Sequence, residues 1–419
     1  MRYKIQLPDN KSIKIREMVV AHARGGKIPP MTDADGSDVR VVWRALHTIK
    51  DAQRMAMDMV TVVDVSDCGA AYRFLMPVLA ATPGRWLLTG TPRLLQRPIE
   101  PLVEVLRGIG AEIEGVGDGW LIMGRSLISP VETRHGTSLQ RGNTETDTEP
   151  DGGLSLTLDA SQSSQMASAL VMAAPLLGLR TLRLTSANIP SLSYLRMTLA
   201  LTRDWPVEVP GVEVPDISVG APGDWSAALF WFAHARLHPE NSYELSPLSL
   251  DSIQGDSTIH KWFRELNVSV SCGDENNKGD AESRISPKSC IEIVAKPLEI
   301  KPRMVLDVRD TLDTVPVMAA LAALLPADIT FQNVTNLRFK ESDRLQALTE
   351  QLAPYAEIGL SDNELRVNGK GEPIAAGAGF DTLHDHRLAM AFLLFPNAEL
   401  NDTSCLSKSY PALQTQLSI

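Results

Sequence analysis

Six segments of this chain are apolar on almost every face of a helix. They are KSIKIREMVVAHA (11–23), SDCGAAYRFLMPVLAA (66–81), SQSSQMASALVMAAPLL (161–177), DWSAALFWFAHARL (224–237), DTLDTVPVMAALAALL (310–325) and DHRLAMAFLLF (385–395). A helix without a polar face has to be enclosed by other structure. In each segment the polar and charged residues gather at the N-terminal end. Free backbone N–H groups and the positive end of the helix dipole lie there, and both favour bound anions.

The intervening segments are of a different kind. RPIEPLVEVLRGIGAEIEGV, SYLRMTLALTRDWPVEV, DSTIHKWFRELNVSVS and DRLQALTEQLAPYAEIGL, and more weakly SDVRVVWRALHTI, place apolar residues three and four apart, and most then switch to short Val/Ile runs. That is an amphipathic helix leading into a strand. The succession recurs at irregular intervals of roughly 55–90 residues, which reads as an internal repeat of low identity. Ordinary α/β alternation produces the same pattern. With 419 residues the chain is too long for one core, and two lobes are expected. The turn-rich SVGAPGD, near Ala221–Gly223, suits the change of domain, while 125–153 and 273–287 are polar enough to be loops.

Hydrophobic residues make up 44% and charged residues 22%, as in soluble globular proteins. The net charge of −11 argues against nucleic acid as a partner. It leaves a small anion possible, because a local cluster of Arg and Lys overcomes the average field at short range. The four cysteines (Cys68, Cys272, Cys290, Cys405) follow no zinc-binding spacing and fit a reducing compartment. The segment MRYKIQLPDNKSIKIRE lacks the apolar stretch of a secretory signal, and no apolar run reaches the ~18 residues of a membrane span. A cytoplasmic protein with no membrane partner is expected, and no exposed apolar stripe demands a second copy.

The densest chemistry lies in NLRFKESDRL (336–345), where Lys340 and Arg344 would fall one helical turn apart with Glu341 between them. Two cations and a carboxylate suit holding an anion while moving a proton; a charged surface helix looks the same. Five helix starts carry similar candidates. Lys11, Ser12 and Arg16 open the first. Arg97 precedes Pro98, a residue suited to the first turn of a helix. Ser163, Ser164 and Gln165 form either a cap or a phosphate cradle, with Ser191 and Tyr194 following. Asp307, Asp310 and Asp313 approach the fifth apolar helix as caps or as a general base. His384, Asp385, His386 and Arg387 approach the sixth; consecutive residues do not converge on one metal ion, so Arg387 reads as an anion ligand and no metal is expected. Lys408 lies in a loop before Pro411.

LPDNKS, LTGTPRLLQRPI, SQSSQ, GDWSAA, SIQGD, DTLDTVPVMAALAA, NLRFKESDRL, DHRLAMAF and CLSKSYP occur in the order found in 5-enolpyruvylshikimate-3-phosphate synthases, and the sequence resembles a divergent member of that family from about residue 7 to 411. The resemblance implies a two-lobe α/β enolpyruvyl transferase fold of six βαβαββ-type repeats, three per lobe, with buried helices and the active site in the interlobe cleft. Residues 1–9 plus 222–419 would form one lobe and 10–221 the other. It implies transfer of the enolpyruvyl group of phosphoenolpyruvate to the 5-hydroxyl of shikimate 3-phosphate, without metal or organic cofactor, by a monomer.

Carried over by motif, the catalytic groups would be Lys11, Asp313 (base) and Glu341 (acid). Shikimate 3-phosphate would be held by Lys11, Ser12, Arg16, Ser163, Ser164, Gln165, Ser191, Asp313, Asn336 and Lys340. Phosphoenolpyruvate would be held by Lys11, Gly69, Arg97, Gln165, Arg344, Arg387 and Lys408.

Three places depart from the family pattern. Asp9–Asn10 stands for a glycine–serine pair, Asp67-Cys68-Gly69-Ala70 stands for NAGT, and an acidic pair is blurred into DADGSD (33–38). They point to weaker phosphoenolpyruvate binding or altered sensitivity to its competitor glyphosate. Two other readings exist. UDP-N-acetylglucosamine enolpyruvyl transferase shares the fold, but its reactive cysteine is missing from TPRLLQRP. A non-catalytic binding protein would keep the fold and lose turnover.

Overall fold

The computed structural model describes residues 1–54, 59–127, 146–148, 153–216, 223–272, 290–298 and 301–418. Contacts divide the chain into two compact units. The first comprises Met1–Lys11, Asp33–Ser37 and Ile217–Ile419; the second comprises Ser12–Thr32 and Asp38–Asp216. Each has its own hydrophobic core.

The repeat is plainest at one place in each unit. In the second unit, strand Val60–Asp64, helix Gly69–Ala81, strand Gly84–Thr89, helix Glu100–Gly108 and strands Glu112–Val116 and Gly119–Gly124 follow one another. The first two strands pair in parallel and the last two pair antiparallel, with Gly119–Gly124 inserted beside Gly84–Thr89. In the first unit, Arg303–Asp307, Val315–Leu324, Asp328–Gln332, Arg344–Leu352, Ala356–Leu360 and Glu364–Gly369 repeat that order and that sheet topology. A parallel pair needs a crossover, and the apolar helix supplies it. The amphipathic helix makes the second connection and keeps one face in solvent.

The last residue of the closing strand is glycine in both copies. A Cβ on Gly124 would strike the carbonyl oxygens of Thr82 and Leu79; one on Gly369 would strike those of Leu325 and Ala322. In each copy these are the residue that ends the buried helix and the residue three before it. The strand can reach the end of its own helix only without a side chain.

Further sheets follow the same logic. Arg2–Gln6 pairs in parallel with Ser242–Ser246 around helix Trp225–Leu237, and the sheet continues through Ile291–Ala295 to Val268–Cys272. Leu154–Leu158 and Leu179–Leu184 pair in parallel, with helix Ser164–Met172 between them in sequence. Thr146–Thr148 joins that sheet, so these three residues of the segment read as a loop are a strand. Residues 128–145, 149–152 and all of 273–287 lie outside the described residues.

The apolar helices are buried as the pattern requires. Val315 to Ala323 are all buried, and their helix packs on Trp225–Leu237 and His386–Phe392 within the first unit. Gly69–Ala81 packs on Ser164–Met172 within the second. Lys11–Ala23 has the bounds read from sequence, while the other five start later, because the leading polar residues cap rather than continue the helix. Cys68, Ser163, Asp224 and Asp385 are N-caps, and Leu312–Thr314 forms a 3-10 turn ahead of Val315. Among the described residues no helix is long and apolar enough to cross a membrane.

Candidate active site

The first unit gathers most of the charged candidates. Asp313, in the 3-10 turn before the Val315–Leu324 helix, accepts hydrogen bonds from Lys340 Nζ at 3.1 Å and Arg344 Nη1 at 2.9 Å, both on Oδ1. Arg387 Nη2 lies 3.8 Å from Oδ2. Arg344 Nη2 donates to Glu341 Oε2 at 2.8 Å, and Lys408 Nζ lies 3.9 Å from Glu341 Oε1. Arg344, Arg387 and Lys408 are all buried, with side-chain exposures of 1–3%.

The convergence does not come from a helical turn. Thr335–Phe339 is a 3-10 segment, Lys340 is extended, and the α-helix begins only at Arg344, with Asp343 as its N-cap. The spacing expected of Lys340 and Arg344 on one helix is therefore corrected: they reach the same carboxylate oxygen from a loop and from a helix start. Arg338 and Asp343 pair with each other at 3.2 Å, and Asp343 accepts from Gln346 N, so both shape the turn. Asn336, in the 3-10 segment, is partly buried.

Asp385 completes this cluster, and no role for it was drawn from sequence. Its side chain is fully buried. It accepts from Arg344 Nε at 2.8 Å, Arg344 Nη2 at 3.1 Å, Ser342 Oγ at 3.0 Å and the Arg387 backbone N–H at 2.9 Å. One carboxylate thus caps the His386–Phe392 helix and fixes the guanidinium of Arg344. Of the neighbouring histidines, His384 is exposed and pairs with Asp402, while the buried His386 has Nδ1 3.9 Å from Asp385 Oδ1 and, among the described residues, no hydrogen-bond partner for either ring nitrogen. Burial, then Lys11 and Arg387, hold His386 well below its ordinary value, so it is neutral.

The electrostatics follow from this geometry. Burial alone would push Asp313 up; Lys340, Arg344 and Arg387 outweigh it and hold the carboxyl well below its usual range. Burial would weaken the charge on Arg344, but Asp385, Glu341 and Asp313 reverse that and raise its pKa.

A second buried network adjoins. Asn10, next to Lys11, donates to Gln254 Oε1 at 2.6 Å, and Gln254 Nε2 donates to Asp224 Oδ1 at 2.9 Å and Ser226 Oγ at 3.1 Å. Ser226 Oγ donates to Asp256. Burial and then the charge of Asp313 push Asp256 up to about 7. SIQGD pointed to the family, but nothing in its spacing indicates this contact. Since the folded value exceeds the unfolded one, Asp256 draws stability down as pH rises from about 4 to about 7. Urea unfolding across that range should show a shallower decline for Asp256→Asn; an unchanged slope refutes the assignment.

The second unit holds the remaining candidates. Arg97 does not enter a helix through Pro98. It lies in the bend between helices Pro92–Leu95 and Glu100–Gly108, and Pro101 takes the first turn instead. Its guanidinium lies over Gly69: a Cβ there would come within 2.8 Å of Cζ. Arg73, four residues after Gly69, was not singled out from sequence. It donates to Pro98 O at 2.8 and 3.1 Å, and to Gln165 Oε1 at 2.9 Å. It thereby ties Gly69, the Arg97 bend and Gln165 together. Ser163 caps its helix by accepting from Gln165 N, Ser164 is buried, and Ser191 precedes helix Leu192–Leu201 with φ 56°.

Arg16 is buried, donating to Thr198 Oγ1 at 2.8 Å and to Ser12 O at 2.9 Å, and its Cζ lies 5.1 Å from the Phe74 ring centroid and 5.6 Å from that of Tyr194. Burial lowers its pKa to about 10, which leaves it charged at neutral pH. At the altered segment, Cys68 is fully buried and accepts from Ala71 N at 3.4 Å, so its sulfur takes the capping role.

Comparison with known proteins bears on the family. The family model described as EPSP synthase (3-phosphoshikimate 1-carboxyvinyltransferase) matches residues 41–122 and 138–417. A protein of Bacteroides fragilis named 3-phosphoshikimate 1-carboxyvinyltransferase is 31% identical over 432 residues, covering 97% of this chain and 92% of its own. One of the same name from Aliivibrio salmonicida is 26% identical, covering 97% and 94%. EPSP synthase from Acinetobacter baumannii superposes with a TM-score of 0.65 at 19% identity, covering 100% and 95% of the two chains. The enolpyruvyl transferase NikO from Streptomyces tendae reaches 0.58 at 15% identity, covering 99% and 94%. These two solved structures bear on the fold alone. On the extent of the family match, joined to the cation cluster around Asp313 and Glu341, the chain belongs to the EPSP synthase family.

Proposed function

We propose that Asp313 and Glu341 are the base and the acid of the reaction of this family, and that Lys11 is the third catalytic group. The chain is a 3-phosphoshikimate 1-carboxyvinyltransferase: it transfers the enolpyruvyl group of phosphoenolpyruvate to the 5-hydroxyl of shikimate 3-phosphate and releases phosphate, a step of the shikimate pathway to aromatic amino acids. The observation that carries the assignment of roles is the gathering of Lys340, Arg344, Arg387 and Lys408 around those two carboxylates.

In this scheme Asp313 takes the proton of the 5-hydroxyl while its oxygen bonds to C2 of phosphoenolpyruvate. Glu341 gives a proton to the methylene carbon. Glu341, now a carboxylate, takes a proton back from the methyl group of the tetrahedral adduct as the C–O bond to phosphate breaks, Asp313 returns its proton to the departing phosphate, and the enol ether is restored. Arg344, Arg387 and Lys408 are assigned to phosphoenolpyruvate, as are Arg97 and Gly69 by the family motifs; fixed cations stabilise the charge that develops on departing phosphate. Ser12, Arg16, Ser163, Ser164, Gln165, Ser191, Asn336 and Lys340 grip shikimate 3-phosphate, and Gln165 and Lys11 touch both substrates. The scheme calls for no metal or organic cofactor. The net charge of −11 supports a protein that does not bind nucleic acid and the scattered cysteines a cytoplasmic one; the reading as a monomer rests on the resemblance to the family.

Phosphate release from the two substrates tests the roles. Asp313→Asn and Glu341→Gln should each lower turnover by about 10²–10⁴-fold while substrates still bind. Wild-type release no greater than that of the doubly substituted chain would sink the catalytic reading. Unchanged turnover in Glu341→Gln would move the proton to another donor.

A further inference from the structure

The cations assigned to the substrates are the same cations that pair with the base and the acid. Lys340 and Arg344 both donate to Asp313 Oδ1, Arg387 faces Oδ2, and Arg344 and Lys408 face Glu341. A carboxylate held by three cations is a poor proton acceptor. A general base works best when its pKa lies near the working pH.

We propose that the substrates themselves release the base: their phosphate and carboxylate groups draw Lys340, Arg344 and Arg387 away from Asp313, and Asp385 keeps Arg344 in place while its partners change. The proposal rests on the assignment of these cations to the substrates made above.

Two features of the geometry support it. The first is the difference between the carboxylates around Arg344. Asp313 is 27% exposed and Glu341 15%, and either can give up part of its hold on the guanidinium. Asp385 is fully buried, caps a helix and holds Arg344 through two nitrogens, Nε and Nη2. A forked, two-point grip fixes the plane of a guanidinium as a single contact cannot. Arg344 Nη1 then keeps its direction whether it faces Asp313 or a substrate oxygen.

The second is the charge balance at Asp313. The groups that act on it are Lys340, Arg344 and Arg387, which lower its proton affinity, and Glu341, which raises it; Asp256, pushed up to about 7, is neutral at about pH 5. When anions engage the three cations, the positive field that holds Asp313 below its usual range weakens, while burial and Glu341 remain. Each of these remaining influences raises its proton affinity. The base therefore becomes basic only when anionic groups occupy the cations. This couples proton abstraction to substrate binding.

The experiment is calorimetry of shikimate 3-phosphate binding followed by glyphosate, an unreactive competitor of phosphoenolpyruvate. It is run at about pH 5, above the ordinary Asp value, in two buffers of different ionisation enthalpy. Protons taken up per complex should rank wild type above Lys340→Gln above Asp313→Asn, because the first starts with the most firmly held carboxylate and the last has none. Equal uptake in all three, with wild-type turnover intact, overturns the proposal and leaves the enzyme assignment standing. No binding and no turnover in the wild type would instead remove the functional reading and this inference with it.

Discussion

Arg344→Ala is expected to lower stability by about 3–5 kcal/mol at neutral pH and to abolish turnover. The guanidinium is 1% exposed and serves three carboxylates: Asp385 at 2.8 and 3.1 Å, Asp313 at 2.9 Å and Glu341 at 2.8 Å. Removing it leaves carboxylates crowded in a buried place, with Lys340, Arg387 and Lys408 too few and too far to replace a two-point grip on Asp385. An uncompensated buried charge is what makes breaking such a pair costly.

The pH dependence gives the result its signature. In the wild type, Asp313 is held well below its usual value, so its contribution is present above the unfolded pKa and is lost only as pH falls through the depressed one. In the variant the crowded carboxylates favour protonation, so the deficit should narrow as pH falls below about 5. Urea unfolding at several pH values reads both effects. A loss under about 1 kcal/mol, or one independent of pH, would contradict the buried cluster. Arg344→Lys should recover part of the stability and little turnover, because an ammonium cannot reproduce the fork.

Gly69→Ala is expected to act on binding more than on folding. The added Cβ would come within 2.8 Å of Arg97 Cζ and 3.0 Å of Nη2. The atoms in the way are the far end of a flexible side chain, so the guanidinium can swing aside at small cost to the fold. Gly69 opens its helix, and Arg73, which donates to Pro98 O just after Arg97, holds the bend that presents the guanidinium. On the proposed assignment of Arg97 to phosphoenolpyruvate, a displaced guanidinium forfeits charge-assisted hydrogen bonds worth about 1.5–3 kcal/mol. KM for phosphoenolpyruvate should therefore rise by roughly 10–150-fold, while KM for shikimate 3-phosphate and the unfolding midpoint change little. Steady-state kinetics with each substrate varied in turn separates the outcomes. Equal changes in both KM values would mean that Gly69 matters to the fold rather than to Arg97.

Lys11, Arg16, Asp313 and Arg387 stand out as polar residues at the starts of apolar helices, Glu341 in a charged run and Lys408 in a loop; the motif order of the family, not the local pattern, sets them apart from caps and surface charges. The residues that hold them were not visible in that way. Asp385 sits 41 positions from Arg344, and its place in HDHR suggests a metal before it suggests an arginine. Arg73 lies inside an apolar run, and its partners Pro98 and Gln165 are 25 and 92 residues away. Asp256 and Gln254 occur in a short turn whose pairing with Ser226 spans 30 and 28 residues. Such contacts depend on where the chain returns, and local pattern carries no information about that.

The altered DCGA segment shows the same limit from the other side. Read as sequence, Cys68 removes a family residue; in the fold its sulfur caps the helix and takes the backbone hydrogen bond of Ala71.

Sequence by itself determined the alternation of buried and amphipathic helices, the gathering of polar groups at their N-termini and the family. Each of these rests on spacing within one segment or on motif order along the chain. The tertiary structure alone decided that Lys340 and Arg344 meet at one oxygen of Asp313 from different local conformations, and that Asp385 is the anchor behind them. Hydrogen bonds and ion pairs act over about 3 Å, a distance that residues far apart in sequence reach only once the strands and buried helices have packed.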